Sequence, residues 1–315
     1  MHGNDDWLTR SRLSPKQLAL LVQLDEKRSV LHAAEAANLT QPAASKALGQ
    51  LEEALGVPLF SRHARGVVPT PYGEILVRHA RSVLAELKQT HDELEAARVG
   101  LSGEVRIGTA ITSATTLVPE AVIALNRRSP RVRVGIELGF SEALVRRLLA
   151  RRLDIVIARL HTPQTSSDVH FEAIAEDAHD IVVRSGHPLV EYEKPTLADT
   201  ISFTWVLPPA GNVMRDRLNV EFLKAGLDLP GHVVETPSLP VIVSLLQSSD
   251  MIAPLATEVI RPYCESGALT TLPIPIDLRL GVSGIITLRG QRLAPAAQAM
   301  LEALRAAAGI SARNG

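Results

Sequence analysis

Residues 39–56, LTQPAASKALGQLEEALG, contain the pattern that decides the fold of the N-terminal part. Thr40 is a favourable N-cap, Pro42 suits a first helical turn, and Gly56 suits a helix end. The stretch between them predicts a helix with one apolar stripe, because apolar residues recur at spacings of 4, 3 and 4. The stripe consists of Ala44, Leu48, Leu51 and Leu55.

The opposite face of this helix carries Gln41, Ser45, Lys46, Gly49 and Gln50. Short polar side chains and one lysine suit base edges and phosphates in a DNA major groove. Glycine in the middle of a helix costs about 1 kcal/mol relative to alanine. Two explanations stay open for Gly49: close approach of the backbone to DNA, or packing against a neighbouring element.

The flanking segments complete a winged helix-turn-helix. Ser14-Pro15 starts one helix, Ser29 caps a second, and Asn38-Leu39 predicts the turn before the third. Residues 59–70 follow as two β-prone pieces around a basic, glycine-containing tip. They indicate a hairpin wing whose Arg62 and Arg65 contact phosphates or a minor groove, the alternative being a solvated basic loop.

Several residues of this region together resemble the LysR-type transcriptional regulators: Ala33-Ala34, residues 39–45, Leu51-Glu52, Leu55-Gly56, Leu59-Phe60 and Arg62. The resemblance implies a DNA-reading end at the start of the third helix. The expected DNA-binding residues are Thr40, Gln41, Pro42, Ser45, Lys46, Arg62, Arg65 and Thr70. Family members more often carry Arg at the position of Lys46, and Lys lacks the bidentate fork that reads guanine.

A further helix is predicted from Thr70 to about Arg98. Its apolar and small residues alternate 4 and 3 apart, which is typical of a coiled-coil seam. The seam consists of Leu76, Ala80, Val83, Leu87, Thr90, Leu94 and Ala97. This pattern favours a homodimer, as in LysR-type proteins, over a helix that packs only on its own domain.

The remaining two thirds alternate strand and helix patterns and predict two α/β lobes, the first with a parallel sheet. This resembles the LysR-type effector domain, with its two Rossmann-like lobes of periplasmic-binding-protein design. The expected domains are the winged helix-turn-helix at 1–69, the linker helix at 70–99, lobe I at 100–162 and 277–308, and lobe II at 163–276. The fold class is therefore an N-terminal all-α winged helix-turn-helix, a linker helix and a C-terminal α/β two-lobed domain.

Ligands of open α/β sheets gather beyond the carboxyl ends of strands, at helix N-termini. On this rule the expected effector-binding residues are Thr112, Ser113, Phe140, Ser141, Asn212, Arg215 and Ser238. Each hydroxyl could instead be an ordinary N-cap, and Arg215 could form a surface salt bridge. Residues 208–212 look most like regulators of sugar uptake or aromatic-acid catabolism, so the effector is predicted to be a carboxylic acid or sugar acid.

An enzyme is disfavoured because the chain lacks the P-loop, dinucleotide-binding, nucleophile-elbow and zinc-protease motifs. No cofactor or metal is expected, and His187 before Pro188 is interpreted as a turn residue. One cysteine, Cys264, excludes a disulfide within the chain, which fits a reducing compartment.

The composition fits a cytoplasmic protein, with 46% hydrophobic residues, no secretory pattern and no apolar run of membrane-spanning length. The net charge of −1 gives no sign of a DNA-binding protein, since such proteins are usually marked by positive charge. The DNA-binding prediction therefore rests on the helix-turn-helix motif. The family resemblance also implies tetramers and contact with RNA polymerase. An architectural DNA-binding protein without an effector is the alternative function.

Overall fold

The computed structural model describes residues 13–63, 66–99, 101–160 and 168–310, and its main division into two compact units falls between Gly103 and Glu104. Three helices open the first unit: α1 (Pro15–Lys27), α2 (Val30–Ala36) and α3 (Gln41–Leu55). The predicted caps are confirmed, since the side chains of Ser14, Ser29 and Thr40 each accept a bond from a backbone N–H three residues later. Gly56 ends α3 in the left-handed conformation, with φ of 70°.

A hairpin, called the wing below, follows α3 and consists of β1 (Phe60–His63) and β2 (Gly66–Pro69). Its strands pair antiparallel with Phe60 opposite Pro69. The next element, α4 (Pro71–Val99), is a helix of 29 residues. The apolar faces of α1, α2, α3, the wing and the start of α4 form one core, whose largest members include Leu21, Leu24, Leu51 and Leu59.

The second unit alternates short strands and helices. In chain order they are β3 (Gly103–Thr109), α5 (Ile111–Thr115), α6 (Leu117–Arg128), β4 (Val132–Leu138), α7 (Ser141–Leu149), β5 (Ile155–Arg159), β6 (Val169–Glu176), β7 (His179–Arg184), β8 (Trp205–Leu207), α8 (Val213–Lys224), β9 (Val233–Glu235), α9 (Leu239–Ser248), β10 (Ala253–Ala256), α10 (Thr257–Glu265), β11 (Leu269–Leu272), β12 (Val282–Leu288) and α11 (Pro295–Ala307). Two short 3-10 turns lie between β7 and β8.

Lobe I is built on a five-stranded sheet in the order β4-β3-β5-β12-β6. β3 runs parallel to β5, and β12 runs antiparallel to both β5 and β6. The sheet is therefore mixed, and the prediction of a parallel sheet is correct only for its first part. The expected return of the chain is confirmed, because β12 pairs inside this sheet and Arg305 of α11 binds Glu172 of β6 at 2.6 Å.

Lobe II has β7 at the centre of an antiparallel trio with β10 and β11, and a parallel pair of β8 and β9. A single parallel bridge from Trp205 to Ile252 connects the two sets of strands. The Trp205 ring is fully buried and meets the Phe222 ring edge-on, with 5.5 Å between centroids.

The predicted boundaries between the lobes at residues 163 and 277 are wrong. β6 pairs with β12 and so belongs to lobe I, which moves the first crossover beyond Glu176. Leu278 is buried in the core of lobe II, which moves the second crossover to Gly281, just before β12. Edge strand β6 alternates between partly buried and exposed residues, so its sequence lacks the apolar run that marks the inner strands.

Other elements also differ from the sequence pattern. Thr112 lies in the short helix α5 and not in a loop beyond a strand end, and the next helix, α6, begins at Leu117. β11 has only four residues, and α10 contains Pro262, which the pattern treats as a helix breaker. These two elements were therefore not predicted.

Candidate functional site

The residues predicted to read DNA lie on the solvent side of α3. Gln41, Pro42 and Lys46 are exposed and Ser45 is half-buried, whereas Ala44, Leu48 and Leu51 are buried on the opposite side. The hydroxyl of Thr40 accepts the N–H of Ala43 at 3.4 Å and keeps an exposed position at the start of the helix. The structure thus presents a polar helix face that a major groove can accommodate.

Glu52 connects this helix to the wing. Its carboxylate accepts the backbone N–H of Leu59 at 2.7 Å and that of Phe60 at 3.1 Å. Charge-assisted bonds of this kind are stronger than bonds between neutral groups. The sequence analysis used Glu52 only as part of a family pattern, and the structure gives it a role in fixing the wing to α3.

Thr70 was predicted to bind DNA, and the structure shows a local role for its hydroxyl. Its hydroxyl donates to the carbonyl of Pro58 at 2.6 Å and accepts the N–H of Gly73 at 3.2 Å. These bonds cap α4 and occupy the hydroxyl within the chain. Arg62 lies in β1, although its side chain is outside what the structure describes, and Arg65 lies outside the described residues.

The predicted dimer seam separates into two parts along α4. Ala80 is buried in the core of the first unit and Leu76 packs against that core, so these two positions do not belong to a free seam. Val83, Leu87 and Leu94 are 47%, 49% and 66% exposed. The second part is therefore an apolar row that no described residue of this chain covers.

A cavity of about 820 Å³ lies between the two lobes of the second unit. Its walls are mainly apolar, with Val206, Leu255 and several prolines among them. The N-terminal ends of α7, α8 and α9 line it through Ser141, Val213 and Leu239. Free backbone N–H groups and the helix dipole favour negative charge at such ends.

Five of the seven predicted effector-binding residues line this cavity: Thr112, Phe140, Ser141, Asn212 and Ser238. Two of them also have local roles, since Asn212 caps α8 through the N–H of Met214 and Ser141 accepts the N–H of Arg159.

The other two lie elsewhere. Ser113 is buried outside the cavity lining, and Arg215 bonds the carboxylate of Glu235 and the carbonyl of Pro208. The salt bridge considered for Arg215 is the alternative that the structure supports.

A polar cluster of Arg159, Asp177 and His179 was not predicted from the sequence, and its arginine and histidine line the cavity. The guanidinium of Arg159 binds the carboxylate of Asp177 at 2.5 Å, and both side chains are largely buried. Within the described residues, Nε of Arg159 and Nδ1 of His179 are buried without a hydrogen-bond partner. Buried polar atoms of this kind call for an explanation, such as a ligand, a water molecule or a conformational change.

Burial sets the charge states in this cluster. Burial and the nearby Arg159 charge lower the pKa of His179 to about 4, so its imidazole is neutral at pH 7. Burial also raises the pKa of Asp177, against the opposing effect of the Arg159 guanidinium. Arg159 is the last residue of the otherwise apolar strand β5, so the rule about strand ends, applied here too, would have found it.

Two further reactive side chains, His187 and Cys264, have structural surroundings. His187 is buried and is a turn residue. Its Nδ1 atom lies 3.1 Å from the backbone nitrogen of Leu189, and its Nε2 atom lies 3.2 Å from the carbonyl oxygen of Asp250. Burial raises the pKa of the Cys264 thiol, which disfavours the reactive thiolate. Among the parts of the chain that the structure describes, no three His, Cys, Asp or Glu residues group as metal ligands, and no helix is long and apolar enough to cross a bilayer.

A winged helix-turn-helix followed by a long helix and a two-lobed α/β domain is the architecture of a class of DNA-binding transcription regulators. Residues 15–74 match the family described as "Bacterial regulatory helix-turn-helix protein, lysR family", and residues 98–309 match "LysR substrate binding domain". The chain therefore belongs to the LysR family of transcriptional regulators.

Curated relatives agree with this assignment. The chain is 35% identical over 310 residues to the HTH-type transcriptional regulator GbpR of Azospirillum brasilense, covering 98% of this chain and 91% of GbpR. It is 32% identical over 290 residues to the regulator GalR of Pseudomonas putida, covering 92% and 73% of the two chains. These relatives are regulators and not enzymes, as the sequence analysis predicted.

Among solved structures, full-length CbnR complexed with its target DNA matches with a TM-score of 0.61 at 19% identity, over 94% of this chain and all of that one. At this identity the match shows the shared fold.

Proposed function

We propose that this LysR-family regulator binds operator DNA as a homodimer in the bacterial cytoplasm. We further propose that a small carboxylic acid or sugar acid bound between the lobes controls that binding. The observation that carries the effector part is the cavity of about 820 Å³, whose mainly apolar walls also include the polar residues Thr112, Ser141, Arg159 and Ser238.

The electrostatics of the cavity support the proposal that the effector carries an acid group. Three helices present their N-termini to it, and Arg159 and Arg146 are among the residues that line it. The hydroxyls of Thr112 and Ser238 add polar contacts, and neutral His179 adds no charge. A ligand with one anionic group and further oxygen atoms matches this lining.

Two DNA-binding domains are proposed to come together through the exposed row of Val83, Leu87 and Leu94 on α4. An amphipathic row of this spacing is satisfied by a second copy of the same helix. Tetramer formation and contact with RNA polymerase follow from the family resemblance. Effector binding would shift the populations of two lobe arrangements, by an amount that its differential affinity sets.

Removing polar groups from the reading face of α3 should relax sequence preference. For Gln41→Ala and Ser45→Ala we expect discrimination between the operator and single-base variants to fall by about 1–3 kcal/mol per lost base contact. Lys46→Gln should instead weaken binding to all sequences and reduce the salt slope by about 1, because it removes a phosphate contact. Gel shifts at two salt concentrations, on an operator selected from random DNA by the wild-type protein, measure both effects.

Unchanged discrimination in both alanine variants would show that α3 does not read bases at these positions. A wild-type protein that selects no sequence would overturn the proposed function itself.

The effector proposal predicts thermal stabilisation by hydroxylated carboxylates. A fitting acid at about 100 times its Kd should stabilise the protein by about 2.7 kcal/mol. We would screen gluconate and related sugar acids against glucose and related neutral sugars. Thr112→Val should remove the response, and Arg215→Gln should keep it because Arg215 lies outside the cavity lining. Stabilisation by large apolar ligands alone would contradict the proposed ligand class.

A further inference from the structure

Gly49 lies within α3 at a position where the backbone conformation does not require glycine. It lies in the middle of the helix and on the exposed side, four residues after Ser45 and three after Lys46. Residues three and four apart share a helix face, so Gly49 continues the face that carries these polar groups. Its φ is not in the left-handed region.

The surroundings of Gly49 remove one of the two explanations considered from the sequence. A Cβ atom built on Gly49 would meet no heavy atom within 4 Å. Packing against a neighbouring element of the same chain is thereby excluded among the described residues. Gly73 and Gly108 show the contrast, since a Cβ there would lie 1.9 Å from the carbonyl oxygen of Leu59 and 2.6 Å from Cδ1 of Leu153.

The glycine therefore lowers the stability of the helix, and no contact among the described residues compensates for this loss. We propose that Gly49 is the point of closest approach between α3 and DNA, where the Cα atom lies in van der Waals contact with the duplex. A side chain at this position would hold the helix away from the groove and lengthen the contacts of Ser45 and Lys46. This inference rests on the proposed DNA-binding function.

The test combines stability and DNA binding for a graded series. Gly49→Ala should melt at or above the wild-type temperature, since alanine favours the helix, but should bind the selected operator at least 5-fold more weakly. Gly49→Leu should also fold, and it should bind the operator at least 50-fold more weakly than wild type. Ala54→Gly, at an exposed position in the same helix, is the inverse control: it should lower the melting temperature and leave operator affinity within 2-fold.

The possible outcomes distinguish a failure of the proposed Gly49 contact from a failure of the proposed DNA-binding function. If the wild-type protein binds the operator and Gly49→Ala binds equally well, the contact inference is wrong and the function stands. If Gly49→Ala alters the oligomeric state with no loss of operator affinity, Gly49 faces a second protein chain and the inference is again wrong. If the wild-type protein selects no operator, the function on which the inference rests fails first.

Discussion

Replacing Gly73 with alanine should unfold the N-terminal unit and abolish DNA binding. The added Cβ would lie 1.9 Å from the carbonyl oxygen of Leu59 and 3.1 Å from Cβ of Pro69. The Leu59 carbonyl cannot move away easily, because it accepts the N–H of Thr70 at 2.9 Å. The N–H of Leu59 is also fixed, since it donates to the carboxylate of Glu52. We expect a loss of about 4 kcal/mol or more in the free energy of unfolding.

Hydrogen exchange of the amides in α3 and the wing, together with operator affinity, measures this effect on the full chain. Gly49→Ala is the matched control for hydrogen exchange alone, since the same substitution in the same unit meets no atom within 4 Å and should stabilise the helix by up to about 1 kcal/mol. Normal protection and normal affinity in Gly73→Ala would mean that the junction of wing and α4 is looser than the structure indicates.

Replacing Arg159 with methionine should destabilise the second unit by about 3–5 kcal/mol. The substitution leaves the carboxylate of Asp177 buried with no compensating charge, since the guanidinium lies 2.5 Å from it and both side chains are largely buried. Arg146→Met is the control: Arg146 also lines the cavity, but its pair with Glu142 is exposed and should contribute at most about 0.5 kcal/mol. The double variant Arg159→Met, Asp177→Asn should recover most of the loss.

The pH dependence of the Arg159→Met variant tests the cause. Burial raises the pKa of Asp177 even with Arg159 present, and removing the guanidinium raises it further. A raised pKa in the folded state means that this group favours folding at low pH and disfavours it as the pH rises through that pKa. The deficit of the variant against wild type should therefore shrink on acidification, as followed by urea unfolding. An equal deficit at every pH would point to lost packing and not to the stranded charge.

The N-terminal third of the fold could be predicted closely because its signals are local. Ser14, Ser29, Thr40 and Gly56 are caps that act within a few residues, and the stripe of α3 needs only the helical period. Leu76 and Ala80 were assigned wrongly, because a periodic row shows that a face is apolar and not which surface covers it.

The second unit was harder because its decisive contacts are distant in sequence. β6 joins lobe I through β12, more than a hundred residues later, and no local pattern records that pairing. The strand-end rule placed five residues at the cavity correctly but could not place His179, which begins a strand. Asp177 and His179 become significant only when folding brings them to Arg159.

The depth to which α4 enters the N-terminal core matters for anyone building hybrid regulators. Val77 and Ala80 are buried there, and Leu84 packs against the same core, although all three follow the apparent end of the winged domain by sequence. A chimera joined at residue 70 would exchange part of the hydrophobic interior along with the sensor. A junction placed beyond Leu84 would carry the complete DNA-recognition module into a new host protein.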